Sequence, residues 1–462
     1  MNLGILKLFK ILVIAVLVQN LYADNKSFDF DLIKKGQSND NTLLIVGGIQ
    51  GDEPGGFMAA SLISTHYTIQ KGSVWVIPNL NFYSIIKRSR GPFGDMNRKF
   101  AKLSHNDPDY DSVNRIKEYI SDENVKLVLN LHDGSGFYRK NYVDKMHSPY
   151  RWGQSSIIDQ SNLDIDMYGN LEEISQRICE HVNNNLIKQE DSYLVHNTKT
   201  RMGDKEMEKT LTYFAINNGK AAFGNEASKS LPVHERAYYH LLALEEYMRV
   251  MGIEFTREFE LTPRNVRNAL DNDIYISFYD DKIKLPLSQI RNYLKYFPVK
   301  KDGSLEFTPS NPLTTVIKKG NTYTVHYGNR RMVKLKADYL DMENEDANIK
   351  MSIDGNEKDV EFGSIINAVN KFSVSAKTKY RVNVIGYKNK KQRNESGLLI
   401  KKQQIAKRYS IDKKGKIYRV EFYKKKKFAG MILVNFDPSH VVKTKEVSIA
   451  TVEDNKVTSK KI

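Results

Sequence analysis

Leu43-Leu44-Ile45-Val46-Gly47-Gly48-Ile49-Gln50-Gly51-Asp52-Glu53-Pro54 is the stretch on which the reading of this chain turns. Four apolar residues run without a break into a glycine pair. An unbroken apolar run of this length fits a strand buried on both faces. After Pro54 the pattern becomes helical (FMAASLIS, 57–64). A strand, a Gly-rich turn and then a helix is where open α/β sheets place their ligands, at the carboxyl ends of strands.

Three more runs share the character of the first. Val74-Trp75-Val76-Ile77 ends at Pro78, Leu127-Val128-Leu129 continues to Leu131, and Ala221-Ala222-Phe223 ends at Gly224. Helical patterns separate them. One holds Val113, Ile116, Tyr119 and Ile120; a long one runs from about His234 to Met251 with Leu241, Leu242, Leu244 and Met248 at helical spacing. Alternating strands and helices predict an α/β domain over residues 24–251, with a mainly parallel or mixed sheet flanked by helices. Beyond residue 252 the period changes to two: Tyr323, Val325 and Tyr327, then Tyr380, Val382 and Val384, then Tyr418, Val420 and Phe422 alternate with polar neighbours. This predicts two smaller β-rich domains, 252–343 and 344–436, with immunoglobulin-like sandwiches as the default expectation. A polar tail, 437–462, follows.

The N-terminus reads as an export signal. Lys7 and Lys10 precede the apolar run Ile11–Val18, and Leu21-Tyr22-Ala23 precedes Asp24, so residues 1–23 are expected to be cleaved. The run is shorter than the ~20 residues a spanning helix needs, so no stable membrane span is expected after cleavage. The chain has 462 residues and a single cysteine, Cys179 in a helical pattern, so no intramolecular disulfide can form. A periplasmic location suits such a protein. Net charge is +16, of which Lys7 and Lys10 supply two. Basic surfaces attract nucleic acid or other polyanions; export argues against nucleic acid and for anionic lipid headgroups or cell-wall carboxylates. The Lys424–Lys427 run reads first as a solvated hairpin tip or edge, and second as a contact to an anionic wall polymer.

Several side chains have the character of a catalytic centre. Gln50 and Glu53 lie three apart on one tight turn. His132 closes an apolar strand in Asn130-Leu131-His132-Asp133-Gly134. Two close ligands plus a distant histidine, with one open position, is the arrangement of a catalytic metal site. Asp133 would orient the His132 ring or merely make a turn. Between the strands, Arg88-Ser89-Arg90-Gly91-Pro92-Phe93-Gly94-Asp95-Met96-Asn97-Arg98 suits carboxylate recognition by a guanidinium fork, or is a solvated basic loop. Glu226, at a late strand end, is a candidate acid or base, or an acid at a helix N-terminus.

Taken in order, Gln50-Gly-Asp-Glu53, Arg90, Asn97-Arg98, His132 and Glu226 resemble the zinc carboxypeptidase (carboxypeptidase A-like) superfamily over some 200 residues. Gln50 stands where that family has histidine. A glutamine ligand, a signal segment and β-rich appendages together resemble the periplasmic peptidoglycan DL-carboxypeptidases that set cell shape in helical Gram-negative bacteria. The resemblance implies one Zn2+ per chain, held by Gln50, Glu53 and His132. It implies Glu226 as catalytic base, Arg90 as oxyanion partner (with Arg88 its competitor), and Asn97 and Arg98 as the grip on the substrate carboxylate. Thr212 or Tyr213 would contact substrate from a mobile loop, and Trp152 would wall the pocket or belong to the core. The implied reaction removes terminal meso-diaminopimelate from murein tripeptides to leave dipeptides, with peptidoglycan muropeptides as partners. A deacylase of N-acyl amino acids on the same scaffold and an inactive wall-binding protein are the alternatives.

Overall fold

The apolar runs become neighbouring strands of one sheet. The computed structural model describes residues 28–437 apart from 38–39, 273, 346 and 389–392, together with the backbone of 460–461. The expected signal segment, 1–23, and nearly all of the polar tail lie outside the described residues. The chain divides into two compact units, one ending at Arg267 and one beginning at Asn268.

In the first unit the strands are, in chain order, β1 (Ile33–Gly36), β2 (Thr42–Val46), β3 (Tyr67–Lys71), β4 (Ser73–Ile77), β5 (Val125–Gly134), β6 (Phe137–Tyr138), β7 (His147–Ser148), β8 (Ser155–Ile158), β9 (Leu194–Asn197), β10 (Ala221–Ser228) and β11 (Glu254–Arg257). Seven form a mixed sheet of order β1-β4-β2-β5-β10-β8-β9. Its centre, β4-β2-β5-β10, is parallel, and β1 and β8 run antiparallel to their neighbours β4 and β10. Helices cover both faces: α1 (Pro54–His66), α2 (Phe82–Lys87), α3 (Tyr110–Ser121), α4 (Leu171–Asn183), α5 (Leu211–Asn217) and α6 (Val233–Val250).

Alternation along the strands decides which helix meets which face. Leu44, Val46, Trp75, Ile77, Val128 and Ala222 share one core with Val113, Ile116 and Ile120 of α3 and Leu211, Ala215 and Ile216 of α5. On the other face α1 and α6 pack against each other and against β5 and β10. There the Phe223 and Tyr247 rings meet at 5.0 Å. Helix α1 is buried from Pro54 to Ser64, which explains its lack of a polar face. Cys179 is buried on α4, and burial pushes its thiol pKa up to about 12, which makes it an inert packing residue.

The second unit is β-rich. Thr314–Lys319, Thr322–Tyr327 and Arg330–Leu340 form an antiparallel set, and Tyr293–Lys300 joins it parallel to the last. Further on, Ile349, Phe372, Val382, Tyr418, Phe422 and Val434 build a separate core. Ile417–Lys424 and Lys427–Asn435 form a hairpin turning at Lys425 and Lys426, so the lysine run is a hairpin tip. Among the described residues no helix is long and apolar enough to cross a membrane.

Phe57 of α1 is fully enclosed between helix and sheet. Phe57→Ala is expected to cost about 3–5 kcal/mol through lost contacts and the cavity left behind. Chemical denaturation followed by tryptophan fluorescence reads this as a lower midpoint; an unchanged midpoint would contradict the packing described.

Candidate active site

The turn after β2 is held rigid from outside. Gly51 donates its N–H to Ser89 O at 2.9 Å, and a Cβ on Gly51 would sit 2.0 Å from the Ser84 backbone, so only glycine fits there. The fixed turn points Gln50 and Glu53, both buried, at the end of β5. There His132 Nδ1 lies 3.1 Å from Gln50 Oε1 and 2.9 Å from Glu53 Oε2. A ring nitrogen carries at most one hydrogen, yet two oxygens face it. One cation in place of that proton would satisfy all three donors, so the residues fit a divalent metal. Among the described residues no three His, Cys, Asp or Glu side chains gather for a metal; the third donor here is an amide.

Glu53 is compensated on both oxygens. Oε2 also accepts from the Asp133 backbone N–H at 3.1 Å. Oε1 faces Arg90 Nη1 at 3.3 Å and Lys229 Nζ at 3.2 Å. Lys229 also donates to Asp52 Oδ2 at 3.0 Å. Burial disfavours the charged form of His132, but the hydrogen bond and charge of Glu53 outweigh it, and the metal-free pKa is raised.

Asp95 organises the opposite side. Its Oδ1 accepts from Gln50 Nε2 at 2.7 Å and from the Asn97 backbone N–H at 3.0 Å; its Oδ2 accepts from Arg90 Nε at 2.9 Å. Burial pushes the Asp95 pKa up, but the Gln50 hydrogen bond and the Arg90 charge bring it below the usual range. The Gln50 amide is therefore anchored through its nitrogen, which aims its oxygen at His132. The same carboxylate caps the short 3-10 turn 96–98 that presents Asn97 and Arg98. Asn97 Oδ1 accepts from the Leu211 N–H at 3.0 Å, which joins that turn to α5.

Gln50, Glu53, Arg90, Asn97, Arg98, His132, Trp152, Thr212 and Glu226 all line one cavity of about 300 Å³. Glu226 sits inside β10 opposite His132, so it is a strand residue and not the N-terminal acid of a helix. Its Oε2 is enclosed and has no hydrogen-bond partner. In the metal-free site burial pushes its pKa up to about 8; His132 pulls it down, and the charges of Glu53 and Asp133 push it further up, a repulsion that a bound cation would offset. The Trp152 ring lies 4.8 Å from that of His196, which stacks on Tyr138 at 4.0 Å, so the tryptophan is a braced wall. Thr212 stands near Thr210 at the start of α5, hydroxyls 3.2 Å apart.

Other candidates fall elsewhere. Arg88, with φ 56°, ends α2 and is not among the cavity residues. Tyr213 packs against the core shared with α3. Asp133 does not orient His132: its carboxylate accepts from the Gly55 N–H at 2.7 Å and Arg236 Nη1 at 2.8 Å, and faces His240 Nε2 at 3.3 Å, which ties β5 to α1 and α6. Three cavity-side residues escape the sequence reading. Asp95 lies inside the arginine loop with no pattern to single it out. Lys229 is brought to Glu53 only by the end of β10. Asn130 lies two residues before His132 on the same strand, and alternation is the signal that finds it.

The sequence pattern of the catalytic region of carboxypeptidases controlling helical cell shape matches residues 11–271. That of the C-terminal domain of metallo-carboxypeptidases matches residues 342–437. No curated protein matches the chain. Among solved structures, it is similar to the tripeptide-bound cell shape determinant protein Csd4 of Helicobacter pylori: 38% identity over 88% of this chain and 100% of that one, TM-score 0.79. The mDAP-bound form of the same protein, described as a D,L-carboxypeptidase, gives 39% identity over 87% of this chain and 99% of that one, TM-score 0.79.

Asp95→Ala frees the Gln50 amide to rotate. Metal affinity is expected to fall about 10–100-fold, as when other partners of ligating groups are removed. Competition with a chromogenic chelator measures it; wild-type affinity would show that Asp95 does not hold Gln50 in register.

Proposed function

From the premise that the chain belongs to the family of carboxypeptidases controlling helical cell shape, we propose that it is a zinc enzyme of the periplasm that removes terminal meso-diaminopimelate from murein tripeptides. The observation that carries this reading is the convergence of Gln50, Glu53 and His132 on one point of a cavity that also holds Glu226, Asn97 and Arg98. The binding of tripeptide and of mDAP by similar solved structures supports the substrate class.

Zinc, when bound, supplies Lewis acidity, lowering the pKa of water from about 15.7 towards about 7. The protein does the rest. Glu226, enclosed and unpaired at Oε2, takes the proton of the attacking water and returns it to the leaving amine. Opposite, Arg90 steadies the negative charge that develops on the carbonyl oxygen, itself oriented by Asp95. Asn97 and Arg98 hold the terminal carboxylate, so only the last residue is removed. Trp152 and Thr212 bound the space for that residue and limit the entry of water. Gln50 contributes no charge, so the ion keeps more of its electrophilicity than with a second anionic ligand.

Mass analysis of muropeptides digested by the purified full-length protein is expected to show dipeptides accumulating as tripeptides vanish. Unchanged tripeptides alongside cleaved N-acyl amino acids would replace this reading with the deacylase. Glu226→Ala is expected to abolish turnover, a fall of at least about a hundredfold, with about one zinc per chain retained. Wild-type rates in that variant would remove Glu226 from the mechanism. Chelation is expected to stop the reaction and added zinc to restore it; full activity in the chelated protein would exclude the metal's role.

A further inference from the structure

The cavity extends past the metal ligands and the base. Side chains alternate along a strand, so Asn130 shares a face with His132. Register pairs Asn130 with Gly224 and His132 with Glu226, and all four line the cavity. Beside Asn130, Gly224 presents no side chain to the cavity, and a Cβ there would crowd Ile157, 3.1 Å from its Cβ. Asn130 is 0% exposed, and neither its Oδ1 nor its Nδ2 has a hydrogen-bond partner. A buried amide with both ends unpaired is costly, and in native proteins such a group is paired by ordered water, an ion or a ligand. The metal and proton chemistry of the site uses none of its atoms.

We propose that Asn130 is a specificity-determining residue that hydrogen-bonds the polar end of the side chain of the substrate's last residue. This rests on the carboxypeptidase reading above. Asn130 offers one group that donates and one that accepts, so the matching side chain carries both an acceptor and a donor. An amino-acid head, a carboxylate beside an ammonium, meets both: Nδ2 donates to the carboxylate and Oδ1 accepts from the ammonium. Meso-diaminopimelate ends in such a head. A lysine side chain satisfies only Oδ1, and an apolar chain leaves both ends of the amide buried and unpaired. Gly224 adds no side chain beside that head, and Asn130 reads it.

The test compares wild type, Asn130→Leu and Asn130→Asp on three murein tripeptides ending in meso-diaminopimelate, lysine or norleucine. Wild type is expected to favour diaminopimelate over norleucine by about a hundredfold or more in kcat/KM, as sites built around a substrate's hydrogen bonds do. Asn130→Leu is expected to bring that ratio within a few-fold. Asn130→Asp is expected to shift preference from diaminopimelate towards lysine, since it repels the carboxylate and keeps the ammonium. Zinc content and thermal melting establish that each variant is folded, and either one suffices should the other fail. A variant that keeps the wild-type ratio, or a wild type with no preference, overturns the assignment of Asn130 alone. A wild type that cleaves none of the three overturns the carboxypeptidase reading and this inference with it.

Discussion

The carboxylate of Glu53 is held from four directions at once: the His132 ring, the Asp133 N–H, Arg90 and Lys229. A carboxylate this deeply buried is tolerated only when paired and hydrogen-bonded. Its partners come from the end of β5, the arginine loop and the end of β10. The turn after β2, the loop 88–98 and two central strands must therefore be in register together. The sheet order β2-β5-β10 is what brings the strand ends side by side. Lose the register between β5 and β10, and Lys229 and Glu226 leave the site together.

Gln50 and Asp95 form the second tie. An amide has two unlike ends of nearly the same shape, and a neutral one has no charge to orient it. Asp95 removes that ambiguity by binding the nitrogen. Because the same carboxylate caps the turn carrying Asn97 and Arg98, the proposed third metal donor and the proposed substrate grip share one anchor. Arg90 closes the loop by bridging Asp95 and Glu53. The loop read from sequence as a carboxylate grip or a solvated basic loop is thus knit to the proposed metal donors through an acid within it.

Some of this was legible without a fold, and some was not. The apolar runs at 43–46, 74–77 and 221–223 mark strands because a strand buried on both faces has no polar alternation to hide it. They do not show where β5 and β10 stop. Both strands continue through polar ends, to Gly134 and Ser228, because their neighbours keep pairing with them. Glu226 for that reason had a helix-terminal reading open beside the strand one. Arg88 and Arg90 have the same chemistry two residues apart; only the left-handed close of α2 at Arg88 separates them. In the second unit the period of two marks strands with one wet face, but the parallel pairings of Tyr293–Lys300 and of Ile365–Asn367 leave no local trace, since direction belongs to the partner strand.

What the sequence by itself determined is the alternating α/β pattern, the change to period two beyond residue 252, and the short-range set Gln50, Glu53, Asn97 and Arg98, with His132 and Glu226 at distant strand ends. The patterns follow from spacing along one chain; the candidate site residues stand out by their places on a turn, in a loop and at strand ends together with the family resemblance those carry. The tertiary structure alone decided that Asp95 holds Gln50, that Asp133 serves α1 and α6 instead of His132, that Lys229 reaches Glu53, and that Asn130 faces the cavity beside Gly224. Each of these depends on which strand lies next to which and in what register, a relation between residues far apart in sequence that no local pattern encodes.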